Sequence, residues 1–117
     1  MPPVRVFHCD DSSAFRLLVR EMLNEHGDVA VVGEASSLDE ALSRLPGTEV
    51  DVLLVDLFES GKGEELIEPL REAAPRAEVL IYTGMPERRV TGAARHVHKS
   101  VGFDELHRII TEVAART

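Results

Sequence analysis

Five polar residues of the chain follow short apolar segments, and their types suit chemistry at phosphorus. In chain order they are Asp10, Asp11, Asp56, Thr83 and Lys99. Three carboxylates held close together repel one another, so the group needs positive charge, and a hard divalent cation such as Mg²⁺ supplies it. A carboxylate beside Mg²⁺, an ammonium and a hydroxyl is placed to attack phosphorus, because these neighbours neutralise or hydrogen-bond the phosphoryl oxygens.

The elements that would position these residues alternate along the chain. Short β-prone segments occur at 4–9, 29–32, 50–57 and 79–82, with a weaker fifth around Val97. Helical patterns separate them, which predicts an α/β fold: a flavodoxin-like, doubly wound parallel sheet of five strands in the order 2-1-3-4-5, covered on both faces. Sites in such sheets form at the carboxyl ends of the strands, so the five polar residues should converge on one edge.

Four apolar stripes with helical spacing predict the intervening helices, over residues 15–23, 37–45, 66–74 and 106–114. Ser12 or Ser13 would cap the first of them. Ser37 and Glu40 have the spacing of a capping box, which marks the start of the second. Because proline lacks an N–H, Pro69 should weaken the third helix unless that helix begins late.

Length, composition and charge bound the class of protein. The 117 residues are the size of one domain, expected over 1–117, and 44% of them are hydrophobic, which is enough for a core. The formal net charge of −8 disfavours binding of nucleic acid or of an anionic membrane by this domain alone. One cysteine cannot form an intrachain disulfide, and no apolar run approaches the ~20 residues of a membrane helix, so a cytoplasmic protein is expected.

The order of the polar residues resembles that of receiver domains from bacterial two-component response regulators, and the resemblance covers essentially the whole chain. Paired acids follow the first strand, an aspartate the third, a threonine with a small neighbour the fourth, and Lys-Ser the fifth. The stretches 31–36 and 50–57 look most like receivers of LuxR-type transcription regulators. The resemblance implies the CheY-like form of the predicted fold.

The resemblance also implies a role for each residue. Asp56 would accept a phosphoryl group, which Thr83 and Lys99 would contact. The implied Mg²⁺ ligands are Asp10, Asp11, Asp56 and the backbone carbonyl of Phe58. Of the acid pair, the second would bind the ion directly and the first through water. A sensor histidine kinase or a phosphotransfer protein would be the donor, and the domain would catalyse only its own phosphorylation and dephosphorylation. Apart from the resemblance, the apolar stripes of the first and last helices are the longest in the chain, so any homodimer is expected to use the outer edges of these two helices.

Two segments depart from the family pattern. The family usually follows its acceptor with Met-Pro and then Asp-Gly, whereas this chain has LFESGKG at 57–63. Fewer residues than in the family separate Thr83 from Lys99, so the family's fourth helix is expected to be shortened or lost. The aromatic switch residue, three positions before the lysine, is His96 here. The output surface is therefore expected to differ from that of the family.

Two other functions fit parts of the pattern. A receiver-like module could dimerise or dock a partner without phosphorylation, which the short segment after Thr83 and the histidine at 96 favour. A Mg²⁺-dependent aspartyl phosphatase usually carries its nucleophile as Asp-x-Asp on the first strand, which Asp10-Asp11 does not match.

Several polar residues near the predicted strands are expected to have no part in the chemistry. Cys9 should be a small buried hydrophobe. Glu34, after the second strand, should be solvated and away from the pocket. His96 and His98 share a face of the weak fifth strand, but a structural metal site is not expected there.

Overall fold

A computed structural model describes residues 2–56, 65, 67–84 and 92–115 of the chain. The strands are β1 (Val4–Cys9), β2 (Val29–Ala35), β3 (Val52–Val55), β4 (Glu78–Thr83) and β5 (Arg95–His98), and the helices are α1 (Ser13–Asn24), α2 (Leu38–Arg44), α3 (Ile67–Ala73) and α4 (Phe103–Ala114). The described strands form one parallel sheet in the order β2-β1-β3-β4-β5, which confirms the predicted doubly wound topology.

The two faces of the sheet carry separate apolar cores. Alternate residues of β1 divide between them: Val6 packs with the buried residues of α1 and α4, and Phe7 with those of α2 and α3. The four residues of β3, which pairs on both sides, are all buried. Burial on both faces explains why this strand is continuously apolar. In the α1 stripe, by contrast, Leu18 was predicted to face the core and is 43% exposed.

Two strands differ from their predicted bounds by more than one residue at an end. β2 continues beyond 29–32 to Ala35, because its pairing with β1 resumes after a register shift between Val6 and Phe7. Gly33 lies at this irregularity, where a Cβ would come within 2.7 Å of the Phe7 ring. β3 is shorter than 50–57, since Asp51 precedes it and pairs with the side chain of Arg5. The last predicted position, residue 57, lies outside the described residues.

Local hydrogen bonds fix the helix starts. The Ser12 hydroxyl accepts the Phe15 N–H at 3.2 Å, so Ser12 is the cap of α1. The Ser37 hydroxyl accepts the Glu40 N–H at 3.1 Å, but the Glu40 carboxylate bonds to the residue before Ser37, so the capping box is half formed. α3 begins at Ile67, which puts Pro69 in a first turn where helical N–H groups have no partner anyway.

The segments that depart from the family pattern are only partly described. Between β4 and β5 the described residues are Gly84 and 92–94, and none of these is helical. Residues 85–91 and 57–64 lie outside the described part of the chain, so the prediction for Phe58 does too. None of the described helices is long and apolar enough to cross a membrane.

Candidate functional site

The carboxyl edge of the sheet gathers the polar residues that the sequence singled out. Asp10 directly follows β1, Asp56 follows β3, Thr83 ends β4, and Lys99 follows β5. The sheet's own hydrogen bonding continues into them: the Asp56 N–H donates to the Cys9 carbonyl at 3.0 Å, and the Lys99 N–H to the Thr83 carbonyl at 2.9 Å. The predicted convergence on one edge is therefore a consequence of strand register.

The ammonium of Lys99 lies between two buried carboxylates. Its Nζ is 2.8 Å from Asp10 Oδ2 and 2.9 Å from Asp56 Oδ2, and these aspartates are 0% and 5% exposed. Burial lowers the pKa of Lys99, but the hydrogen bonds and charges of the two carboxylates outweigh it and the pKa is raised above its ordinary value. Lys99 therefore stays protonated and supplies the positive charge that these buried acids need.

An aromatic ring forms part of the surroundings of this ammonium. Lys99 Nζ lies 4.5 Å from the centroid of the Phe15 ring, at cation–π distance. The ring is itself packed against Tyr82 and Phe103, with centroids 5.7 and 6.5 Å away. Phe15 was predicted only as a core residue of α1, and its position beside the lysine depends on how α1 packs on the sheet.

Three carboxylates of the site have the chemistry of a Mg²⁺ site. Asp10, Asp11 and Asp56 each offer an oxygen, and these atoms lie within 4.8 Å of one another. Among the described residues, three acids against the ammonium of Lys99 leave an excess of two negative charges, which a single divalent cation would cancel. Oxygen donors suit Mg²⁺, and the exposure of Asp11 leaves room for the waters that this ion retains. The residues present therefore fit the ion.

Asp10 is held by groups that the sequence analysis did not assign to the site. Its Oδ1 accepts the Ser12 N–H at 2.9 Å, and its carbonyl accepts a bond from Arg16 at 2.6 Å. Arg16 and Arg20 both pair with Glu34, at 3.3 and 2.7 Å. The prediction that Glu34 is solvated was wrong, since its side chain is only 18% exposed. The i, i+4 spacing of Arg16 and Arg20 puts both side chains on one side of α1, and this was the feature of the sequence that could have indicated a shared acidic partner.

The last two residues of β1, His8 and Cys9, are buried and directly precede Asp10 and Asp11. His8 is buried with its Nε2 3.8 Å from Asp10 Oδ2, and burial lowers the pKa of His8 to about 4, so the imidazole is neutral at pH 7. His8 lies two residues after Val6 and so on the same core-facing side of β1, and this spacing was the signal in the sequence for its burial. Cys9 is buried as expected, and burial raises the pKa of its thiol to about 12.

His98 links the ends of β4 and β5. Its Nδ1 accepts the Ser100 N–H at 3.0 Å and lies 2.7 Å from the Ser100 hydroxyl. Since Nδ1 is an acceptor, the ring hydrogen belongs on Nε2, which donates to the Gly84 carbonyl at 3.0 Å. The imidazole of His98 therefore connects Gly84 and Ser100, the residues that follow Thr83 and Lys99.

Comparison with known proteins places this geometry in a family. The model of the response regulator receiver domain matches residues 6–111. The chain belongs to this family. The receiver is 33% identical over 119 residues to the DNA-binding transcriptional activator DevR/DosR of Mycobacterium tuberculosis, an alignment that covers 96% of this chain and 55% of that protein. The chain thus spans about half the length of this curated relative.

Solved structures are similar over nearly the whole receiver. A LuxR-family two-component response regulator from Aurantimonas sp. is 28% identical with a TM-score of 0.85, covering 97% of this chain and 86% of that one. A chain from the crystal structure of the P1 domain of CheA3 in complex with CheY6 from R. sphaeroides is 25% identical with a TM-score of 0.83, covering 98% and 99%. The resemblance noted in the sequence is confirmed at the level of the family.

Proposed function

We propose that this receiver accepts a phosphoryl group on Asp56, in a Mg²⁺-dependent transfer from a sensor histidine kinase or a phosphotransfer protein. The observation that carries the proposal is the contact of one ammonium, that of Lys99, with the two buried carboxylates of Asp10 and Asp56. Receiver domains are generally phosphoacceptors. We also propose that residues 1–117 form a single receiver domain in the cytoplasm.

In this proposal Asp56 is the nucleophile. One of its carboxylate oxygens forms a bond to phosphorus while the bond from phosphorus to the donor's imidazole nitrogen breaks, and that electron pair stays on the nitrogen. The product is an acyl phosphate. The position of Asp56 at the carboxyl edge of the sheet, where its carboxylate lies 2.9 Å from the Lys99 ammonium, supports this role.

The neighbouring groups stabilise charge in the proposed transfer. Lys99 Nζ is 2.9 Å from Asp56 Oδ2, so it is near enough to contact an oxygen of a phosphoryl group carried there. Thr83 ends the adjacent strand and would donate its hydroxyl to a second oxygen. Mg²⁺, when bound, supplies neutralising charge, and its proposed ligands are Asp10, Asp11, Asp56 and the Phe58 carbonyl.

The proposed chemistry is confined to the chain's own acyl phosphate, so the domain would have no separate substrate to turn over. The similarity to a structure of the P1 domain of CheA3 with CheY6 supports a donor of the kinase or phosphotransfer class. The homodimer stays a prediction. On α1, Leu17 and Leu18 are each 43% exposed and belong to the outer edge that it would use.

The proposal is tested by labelling with a small phosphodonor. Incubation with acetyl phosphate and Mg²⁺ should add one phosphoryl group to the intact mass, and Asp56→Ala should abolish the gain. The matched control is Asp39→Ala, which removes an exposed carboxylate on α2 and should label normally. Omission of Mg²⁺ should suppress labelling in every variant.

Other outcomes select other functions. A mass gain that persists in Asp56→Ala would move the acceptor to another residue. No gain in the native protein, under conditions where calorimetry detects Mg²⁺ binding, would favour the module that docks a partner without phosphorylation.

A further inference from the structure

A second group of potential metal ligands lies at the opposite edge of the sheet. His26 and Asp28 follow α1, and Asp104 and His107 lie on α4. The Asp28 carbonyl accepts the N–H of Val4, the first residue of β1, which places the group at the amino ends of the strands. It is therefore remote from the acidic residues of the candidate phosphorylation site.

The donor atoms of this group are close together. His107 Nε2 is 2.7 Å from Asp28 Oδ1, and the rings of His26 and His107 stack with centroids 3.8 Å apart. One ligand atom from each of these three residues lies within 4.8 Å of the other two. His26 Nε2 is also 3.9 Å from an oxygen of Asp104, so a fourth donor is within reach.

We propose that His26, Asp28, Asp104 and His107 form a binding site for a divalent transition-metal ion, Zn²⁺ in the first instance. Two imidazole nitrogens and two carboxylate oxygens are donors that Zn²⁺ accepts in tetrahedral sites. The three acids of the other edge offer oxygen alone and suit Mg²⁺. The two sites are thus separated by ligand chemistry as well as by distance along the strands.

The backbone already fixes the positions from which these side chains extend. The Asp28 N–H donates to the His26 carbonyl at 2.7 Å, and Gly27 between them has a φ of 69°, which glycine adopts without strain. Asp104 and His107 are three residues apart on α4 and so lie on the same side of the helix. Two pairs of ligands, each fixed by local structure, face one another across the packing of α1 and α4.

The side chains must rearrange before they can coordinate a shared ion. An ion would replace the proton of the hydrogen bond between His107 and Asp28, and the two atoms would move apart from 2.7 Å so that each could lie about 2 Å from the metal. The stacked imidazoles lie within 17° of parallel, so one must turn about its Cβ–Cγ bond to direct its lone pair at a shared ion. His26 has 33% of its side chain exposed and Asp104 all of it, which leaves room for this movement.

The test is calorimetric titration of untagged protein with ZnCl₂ in excess MgCl₂, which occupies the acidic pocket. One Zn²⁺ should bind, and His26→Ala and His107→Ala should each weaken binding about tenfold or more, since even indirect partners of a metal contribute 10–100-fold. Asp11→Asn, which alters the other edge, and Glu105→Gln, which alters a neighbouring exposed acid on α4, should leave Zn²⁺ affinity unchanged.

Co²⁺ gives a second readout of the same site. The bound ion should show the intense visible absorption of tetrahedral Co²⁺, which His107→Ala should remove while circular dichroism shows an unchanged fold. Absence of Zn²⁺ binding would overturn the proposal. Binding that survives both histidine substitutions but is lost in Asp11→Asn would also overturn it, because the ion would then lie in the acidic pocket.

Discussion

At the scale of single residues, charge compensation by Lys99 is the central feature of the site. Two carboxylates with little solvent contact share one ammonium, at 2.8 and 2.9 Å, and a third carboxylate lies beside them. In the absence of a metal ion, Lys99 offsets part of the repulsion between the acids. An incoming cation must therefore share the carboxylates with an ammonium that is already there.

Removal of this ammonium should strengthen cation binding. Lys99→Ala is expected to raise Mg²⁺ affinity about fivefold or more, the equivalent of an interaction of about 1 kcal/mol between unit charges 4 Å apart in water. Isothermal titration would measure the change. Arg108→Ala removes a positive charge from the exposed side of α4 and is the control for net charge alone. Equal or weaker Mg²⁺ binding in Lys99→Ala would contradict the argument.

A pH dependence of stability should come from Asp51 at the other end of β3. Hydrogen bonds from the Arg5 side chain and backbone lower the pKa of Asp51 from its ordinary 3.8. The Asp51 carboxylate thus binds a proton more weakly in the folded chain than in the unfolded chain. Its contribution to the free energy of unfolding is therefore complete above its pKa in the unfolded chain and is lost as pH falls through its pKa in the folded chain. Asp51→Asn should therefore be less stable than the native chain at pH 7, by a margin that shrinks below pH about 4.

Urea unfolding over a series of pH values would measure this margin. Asp39→Asn, at an exposed position, should show no comparable change with pH. A constant difference between Asp51→Asn and the native protein from pH 7 to pH 3 would mean that the Arg5–Asp51 pair is not the source.

At the scale of elements, the ends of β4 and β5 are joined twice. The Lys99 N–H donates to the Thr83 carbonyl, and the ring of His98 bridges Gly84 and Ser100. Both connections fix the spacing between the residues proposed to contact the phosphoryl group. The imidazole performs this role with its Nδ1 as the acceptor of the Ser100 N–H and its Nε2 as the donor to Gly84.

Different substitutions of His98 should remove its contacts with Gly84 and Ser100 together or one at a time. His98→Ala should cost about 0.5–1.5 kcal/mol of unfolding free energy and speed hydrogen exchange at the Ser100 amide, which loses its acceptor. His98→Asn offers a side-chain oxygen near the Nδ1 position and should protect the Ser100 amide while losing the bond to Gly84. Exchange monitored residue by residue would decide. Equal exchange at Ser100 in the native protein and in His98→Ala would show that Nδ1 is not its acceptor.

At the scale of the whole molecule, features that repeat along the chain, such as strands and helices, could be predicted from the sequence. Contacts between particular side chains of different elements could not. The alternation of strands and helices predicted a parallel doubly wound sheet, and the residues at or just after the ends of β1, β3, β4 and β5 predicted which side chains meet at one edge, because both follow from position along the chain. Partner choice depends on packing between elements. Glu34 was expected to be solvated for this reason, and the bridge made by His98 was not anticipated. The predicted strand limits were wrong where strand pairing continues beyond the apolar residues, as in β2.

The two cores should contribute stability in proportion to burial. Leu106 on α4 is fully buried in the core shared with α1, so Leu106→Ala should lower the free energy of unfolding by about 2–5 kcal/mol. Leu17→Ala, at a 43% exposed position of α1, should change it by less than about 0.5 kcal/mol. Chemical denaturation would measure both. A small loss for Leu106→Ala would mean that α4 is not essential to this core.

The edge position of β5 has a consequence for how long the site stays intact. Among the described strands, this four-residue strand pairs only with β4, yet the residue after it supplies the ammonium that lies between Asp10 and Asp56. Short strands with a single partner open locally at a lower free energy than the centre of a sheet. Fraying of β5 would withdraw the cation while β1 and β3 remain paired. The lifetime of the assembled site should thus depend on local opening of β5 at the edge of the sheet. A substitution can then change the free energy of global unfolding without changing that lifetime.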